Sequence, residues 1–499
     1  MLLAAAANWV RPVLDYHALA PEIVLAVVIC GVLLADLFIP EHRKWVTSSL
    51  AGIGLLAAML PIITLAVNGA DRTMFGGAYV VDNFSLILKA LFVIAGYVVV
   101  LLSSTYLDEG GYYQGEYWVL LLSSILGMMM MASSRDLISI FVALEFLSIP
   151  AYMLAAWKKR DLKSNEAGLK YFLLGVFASA VMLYGMSLLY GLAGSTLLTD
   201  ISAKVNDAGD TALIALAVVF IVVGFAFKVS AVPFHTWAPD VYEGAPTPVT
   251  AFLSVASKAA GFVALMELVL LGFPGAWRIW QPLFWVLAAL TMTLGNLVAL
   301  RQTNVVRMFA YSSVAQGGFI LMPLALGHNA GTEVITSMVS YLAFYAATNL
   351  GAFGVILAVT RKTRRGDMAG FGGLFSYAPG LAVAMTIFLA SLAGIPPTGG
   401  FFAKLGVFKA VLSAGGAWGA LLAAIGAVNS VIAFAYYGKL MREMWMNPAP
   451  DGDTLPIKVP QALTAALGIT VLATLALGII PNVVLRFGDL SRLVGAIKP

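Results

Sequence analysis

Fourteen runs of apolar residues, most of them about 20 residues or longer, divide this sequence between residues 20 and 480. A run of that length crosses roughly 30 Å of hydrocarbon as a single α-helix. Inside lipid the backbone can satisfy its own hydrogen bonds only as helices or as a closed barrel. The pattern therefore predicts an all-α polytopic membrane protein of about 14 transmembrane helices. The composition agrees: 61% of the 499 residues are hydrophobic and 11% are charged, where a soluble chain carries about 25% charged residues. Two runs cannot be simple helices. The seventh (211–233) runs into "KVSAVPFHTWAPDVYEGAPTPV" and is expected to break after Pro233; the twelfth (379–411) contains "SLAGIPPTGGFFAK". Proline removes a helix hydrogen bond and clashes with the preceding turn.

Several function classes are excluded by inventory. One cysteine, Cys30, allows neither an internal disulfide nor an iron–sulfur cluster. The four histidines are scattered without metal-ligand spacing, and neither a dinucleotide fingerprint nor a P-loop is present. No cofactor is expected in this chain. A net charge of +4, spread along the sequence, does not suggest nucleic acid. The opening "MLLAAAANWVRPVLDYH" lacks the charged region and apolar core of a cleaved signal peptide.

Lysine and arginine in the short loops set the orientation. One set of alternate loops, including "EHRK", "KKRDLK" and "RKTRR", holds 15 of them; the other set, with both tails, holds 8. The rich side should be cytoplasmic, which places both termini on the opposite side.

An internal repeat is visible. "RDLISIFVALE" (135–145) opens the fifth span and "RQTNVVRMFAY" (301–311) the tenth, and the second broken span follows the first at the same offset of five. An odd offset inverts the repeat, and inverted repeats with broken helices are a transporter architecture. In this alignment Tyr311 stands where Glu145 would recur.

Five charges lie within apolar runs: Glu145, Lys170, Lys228, Lys258 and Lys404. Each costs about 2.5–3.5 kcal/mol near a helix centre on insertion scales. They must pair or line a wet path. Glu145 is expected to face Lys228 or Lys170, and His235, just past the first break, is placed to relay a proton towards the cytoplasmic side. The plainer readings are a structural ion pair for Glu145 and Lys228, a snorkelling Lys170, and a His235 packed in a loop. Glu22, Asp36, Lys89, Glu267 and Lys409 lie nearer span ends and read as interfacial.

The stretch "KVSAVPFHTWAPDVYEGAPTPVTAFLS" resembles the hallmark of the antiporter-like, proton-translocating membrane subunits of respiratory complex I and of multisubunit cation/proton antiporters. "SVASKAAGF", "YLAFYAATNLGAFGV" and "LAGIPPTGGFFAKLGVF" point to the bacterial NADH–quinone oxidoreductase branch. The resemblance covers roughly residues 80–445. It implies helices 1–3 in residues 1–112, two inverted five-helix units in 113–273 and 274–446, and a last helix in 447–499. It implies proton translocation along Glu145, Lys228, Lys258 and Lys404, driven by quinone reduction in other subunits. NADH, FMN, iron–sulfur clusters and quinone would be bound by those partner subunits. Expected neighbours are an adjacent antiporter-like subunit and small membrane subunits in the bacterial inner membrane. A subunit of a sodium/proton antiporter is the alternative, and a scaffold that has lost pumping is a third.

Overall fold

The computed structural model describes residues 13–482 and 485, apart from positions 70, 113, 210 and 331. The tails on which part of the orientation argument rests (Arg11, Arg486, Arg492 and Lys498) lie outside the described residues.

Helices α1 (Ala20–Phe38) and α2 (Trp45–Val67) lead into a hairpin of β1 (Arg72–Met74) and β2 (Tyr79–Val81), and then into α3 (Asn83–Gly110). The hairpin departs from the all-α expectation. Phe75, Gly76 and Gly77 have positive φ and turn the chain tightly enough for Arg72 to pair with Val81. Next come α4 (Gly115–Ser133), α5 (Leu137–Ala155), α6 (Leu162–Ala193) and the short α7 (Leu198–Ala208). The first broken span is α8 (Ala212–Lys228) followed by the short α9 (Trp237–Gly244). Beyond it run α10 (Thr247–Gly272), α11 (Trp277–Ala299), α12 (Val305–Leu321) and α13 (Thr332–Thr363). The second broken span is α14 (Pro379–Ala393) and α15 (Gly399–Ser413), with α16 (Gly416–Met446) and α17 (Gln461–Ile479) completing the chain. Twelve helices among the described residues are long and apolar enough to cross a membrane, and α8 and α14 are shorter apolar helices.

The two broken spans end their first halves in the same way. α8 stops at Lys228, five residues before Pro233 rather than after it. The pyrrolidine ring would clash with the carbonyl four residues back, at Val229, so the helix cannot continue. Ser230 takes a left-handed conformation (φ 58°), and the amides of Ser230 and Ala231 donate to the carbonyls of Phe227 and Ala226. At the end of α14, Gly394 is left-handed (φ 88°), and the amides of Gly394 and Ile395 donate to Ser391 and Ala390. Both are Schellman caps.

A second device also recurs. Asp136 caps the N-terminus of α5 by accepting from the Ser139 amide, and it bridges Leu197 beyond α6. Asn304 caps α12 by accepting from the Arg307 amide, and it bridges Asp367 beyond α13. The bridging bonds correspond pairwise: Leu137 N–H to Thr196 and Leu198 N–H to Arg135 in the first, Val305 N–H to Gly366 and Met368 N–H to Thr303 in the second.

Burial sorts the helices into an inner and an outer set. α10, α12 and α13 are buried along about nine-tenths of their most apolar stretch, whereas α1, α6, α16 and α17 are buried along a third or less. The inner helices touch one another through polar side chains as well as apolar ones: Ser254 on α10 accepts from Asn349 on α13, and Lys258 on α10 donates to Ser313 on α12.

Candidate functional site

The lysine that closes α8 is enclosed by protein. Lys228 is 4% exposed. Its Nζ donates to Ser148 Oγ on α5 at 2.8 Å and stands 5.9 Å from the centre of the Tyr171 ring. Glu145 lies three residues, or about one turn, before Ser148. Its Oε1 accepts from Ser179 Oγ on α6 at 2.6 Å. The expected direct ion pair between Glu145 and Lys228 is therefore not formed: serines stand at both side chains. Glu145 is only half-buried and lies on a face of α5 whose neighbours Val142, Phe146 and Ile149 are exposed.

Lys170 is not Glu145's partner either. It pairs with Glu166 at 2.6 Å and Asp240 at 2.7 Å. Arg307 binds both Asp240 and Glu243 at 2.9 Å, and Glu243 also holds Lys163 at 3.1 Å. Asp240 and Glu243 are the acids of the "PDVYEG" segment. The chain of charges ties α9 to the first turns of α6 and α12, around the entrance to the break. One turn into a helix was deep enough for Lys170 to read as intramembrane; in three dimensions it belongs to this half-exposed cluster.

The break itself is held by groups from both sides. The indole N–H of Trp237 donates to the carbonyl of Phe227 at 2.9 Å, a second bond to the carbonyl that also accepts from the Ser230 amide. The amide of Val232 donates to Thr291 Oγ1 at 2.9 Å. His235 is half-buried, its ring 6.3 Å from that of Tyr311 on α12.

Lys258 occupies the middle of α10 and is 2% exposed. A π-helical segment, Leu253–Ser257, immediately precedes it. Its Nζ donates to Ser313 Oγ at 2.6 Å and to the Ser313 carbonyl at 2.9 Å. Counting from the N-caps gives a different correspondence from the one the paired arginines suggest. Glu145 is nine residues beyond Asp136, and nine residues beyond Asn304 is Ser313, not Tyr311. By the same count Ser148 corresponds to Gln316. The two counts differ by two because α5 begins two residues after Arg135 and α12 begins four residues after Arg301.

Lys404, on α15, reaches back across the second break. Its Nζ donates to the carbonyl of Ala393, the last residue of α14, at 2.8 Å and lies 4.9 Å from the centre of the Phe319 ring. A cation is favoured at a helix C-terminus. Beside it is a cavity of about 10 Å³, room for a single water, lined among others by Gln316, Tyr341, Tyr345, Thr348 and Ser391. Gln316 accepts from the Tyr341 hydroxyl and donates to the Leu392 carbonyl at 3.1 Å. Ser312 and Tyr437 share a hydrogen bond of 2.5 Å. Hydroxyls and one amide thus occupy the space between Lys258 and Lys404. Sequence reading missed them, since Ser, Gln and Tyr in apolar helices carry no charge to mark them.

A line of three buried lysines, each hydrogen-bonded to neutral oxygen and none ion-paired among the described residues, suits proton exchange. No group of acidic, histidine or cysteine side chains suited to a metal occurs among the described residues.

The sequence and the fold both match known proteins. The family described as "NADH:quinone oxidoreductase/Mrp antiporter, TM" matches residues 134–432. NADH-quinone oxidoreductase subunit N of Trichlorobacter lovleyi is 40% identical over 480 residues, covering 95% of this chain and 96% of its own. NAD(P)H-quinone oxidoreductase subunit 2 of a Synechococcus elongatus strain is 39% identical over 488 residues, covering 96% of this chain and 92% of its own. A chain of respiratory complex I from Thermus thermophilus superposes with a TM-score of 0.76 at 32% identity, over 93% of this chain and 98% of that one. The chain therefore belongs to the antiporter-like membrane subunits of NADH–quinone oxidoreductase, in the subunit N group.

Proposed function

We propose that this subunit moves protons across the membrane along Glu145, Lys228, Lys258 and Lys404, powered by quinone reduction in other subunits of the complex. The observation that carries the reading is the lysine line itself: three ammonium groups at 2–5% exposure, with serine or carbonyl partners in place of counter-ions. Permanent structural ions would be paired; groups that must lose and regain a proton are better served by neutral oxygen.

Protons enter from the cytoplasmic side at the break after α8. The Lys170–Asp240–Arg307–Glu243 chain frames that entrance and His235 passes the proton to Lys228. The repeated caps and bridges support two inverted five-helix units, residues 113–273 and 274–446, within a fourteen-span protein. The richer set of lysine and arginine loops faces the cytoplasm of a bacterial inner membrane, with both termini on the other side.

Glu145 bears on the partners. A half-buried carboxylate among exposed apolar side chains is costly against lipid. An adjacent antiporter-like subunit covering this face of α5 and α6 removes that cost and gives the carboxylate a neighbour across the interface. NADH, FMN, the iron–sulfur clusters and quinone are held by the other subunits.

The reading is tested with Lys258→Ala in native membrane vesicles. NADH-driven acidification and quinone reduction are recorded together, with and without sodium, after assembly is verified. Joint loss of pumping and turnover, independent of sodium, is expected. Sodium-dependent transport would favour the cation/proton antiporter reading instead.

A further inference from the structure

α17 meets the second break tightly at one end and parts from α14 at the other. At Gly478 of α17 a β-carbon would come 2.1 Å from the carbonyl oxygen of Pro397 and 2.7 Å from Cα of Thr398, so the contact with the break leaves room for glycine alone. Ten residues earlier on α17, Gly468 has nothing within 4 Å of its β-carbon position, and neither has Gly380 in the first turn of α14. The space between the parted ends is a groove of about 480 Å³, within the roughly 300–1,000 Å³ of ligand sites.

The groove is apolar. Leu381, Val383 and Ile387 of α14 form one wall, and Leu467, Val471 and Leu472 of α17 the other. The one polar side chain in the lining, Thr464, returns its hydroxyl to the Pro460 carbonyl at 3.0 Å. From Thr464 to Leu472 the wall runs eight residues, about 12 Å along the axis. That is close to the roughly 15 Å of hydrocarbon in one leaflet, half of a 30 Å core.

The mouth carries a charge. Ile457 and Val459 line the groove, and Lys458 stands between them, exposed. Arg361 anchors this segment by donating to the Lys458 carbonyl at 3.3 Å. The other charges here are answered: Arg361 pairs with Glu109, Lys362 pairs with Asp453 at 3.4 Å, and Asp451 is attracted to Arg365. Lys458 has no ion pair among the described residues. The loop that holds it belongs to the set rich in lysine and arginine. An apolar slot one leaflet deep, with an uncommitted ammonium at its mouth, has the polarity of a phospholipid laid along it. Basic side chains beside clefts between transmembrane helices bind anionic headgroups in this way.

We propose that the groove between α14 and α17 holds an anionic phospholipid, one acyl chain along the slot and the phosphate against Lys458. The chain braces α14, the half-helix whose last carbonyl accepts from Lys404.

Photolabelling of the assembled, purified complex tests this. Phosphatidylglycerol or phosphatidylcholine carrying a diazirine on one acyl chain is added in detergent, and labelled peptides are identified by mass spectrometry. Residues 380–387 and 464–472 should label saturably, with phosphatidylglycerol favoured about fivefold, the preference one lysine confers near an anionic headgroup. Lys458→Gln should bring the two lipids level. Gly468→Leu places its side chain in open space and replaces a poor helix former with a good one. The variant should assemble and lose the label from both walls. Equal, unsaturable labelling by the two lipids would overturn the proposal, since the face would then only be bathed in bulk lipid. An absence of label on both walls would overturn it too, by showing that another subunit covers the groove. So would a phosphatidylglycerol preference unchanged in Lys458→Gln, which decides the matter even if Gly468→Leu does not assemble. No lysine of the proton line touches this groove, so failure here leaves that reading standing.

Discussion

Lys228 on α8 is hydrogen-bonded to Ser148 on α5, 2.8 Å from Nζ to Oγ, and Ser148 is one turn from Glu145 on the same helix. A neutral hydroxyl therefore stands where a counter-ion was expected. It holds the ammonium in place without fixing its charge, while Glu145 is held by Ser179 on α6.

Ser148→Ala removes that contact. A buried donor left unsatisfied costs about 1–3 kcal/mol, more when charged. Vesicle assays on the assembled variant should show turnover and acidification falling together, with Ser148→Thr close to wild type.

Gly394→Ala acts on the second break. Gly394 has a φ of 88°, and a β-carbon there would come 2.9 Å from Cδ of Lys404. The left-handed conformation alone costs a residue with a side chain about 1–2 kcal/mol. Lys404 must also move off the Ala393 carbonyl. The variant should lose pumping while keeping Lys404 in the sequence. Full activity would show that the position of Lys404 is not critical.

Arg307→Ala opens the ionic chain beneath the first break, leaving Asp240 and Glu243 each with a lysine only. Half-exposed pairs contribute about 0.2–1 kcal/mol each, so the complex should still assemble. Native-membrane turnover should drop, and its salt sensitivity should shrink, because the network that salt screens is already broken. Arg307→Lys, which cannot fork between two carboxylates, should lie between.

Asp367 gives a pH-dependent contribution outside the membrane spans. Its hydrogen bond with Arg365, 3.2 Å long, holds its carboxyl below the usual value, helped by the attraction of that charge and by the Gly370 amide. A lowered folded value stabilises above the ordinary Asp value of about 3.9. The contribution is lost as pH falls through the folded value. Asp367→Asn keeps the cap and drops the charge. Thermal unfolding of the solubilised complex should show a deficit of at most about 1 kcal/mol at neutral pH. The deficit should close as the pH is taken below about 4.

Spans, breaks and central lysines were legible in the sequence because each depends on one residue's cost in lipid: a proline cannot continue a helix and a lysine cannot hide among leucines. Partnerships were not legible. Ser179, Ser148 and Ser313 hold the charges, yet serine in an apolar helix gives no signal. Glu22, Lys89 and Glu267 lie near the ends of their runs and read as interfacial. In the structure Tyr79 of the hairpin meets Lys89, Lys89 reaches Glu22, and Arg135 pairs with Glu267, so all three are buried. Lys170 shows the reverse error: deep by count, it is half-exposed beside Asp240 because α9 brings that acid across to α6. Matching Arg135 to Arg301 sets Glu145 against Tyr311, whereas counting from the caps at Asp136 and Asn304 sets it against Ser313, and the caps are visible only in the structure.

Lys228→Arg in native vesicles separates a proton carrier from a structural cation most directly. Arginine keeps the charge and the capacity to donate to Ser148 but does not deprotonate in a protein. The account predicts an assembled complex whose NADH-driven acidification and quinone reduction both collapse. An assembled Lys228→Arg complex that pumps as the wild type does would contradict it, because a group that never releases its proton would then suffice.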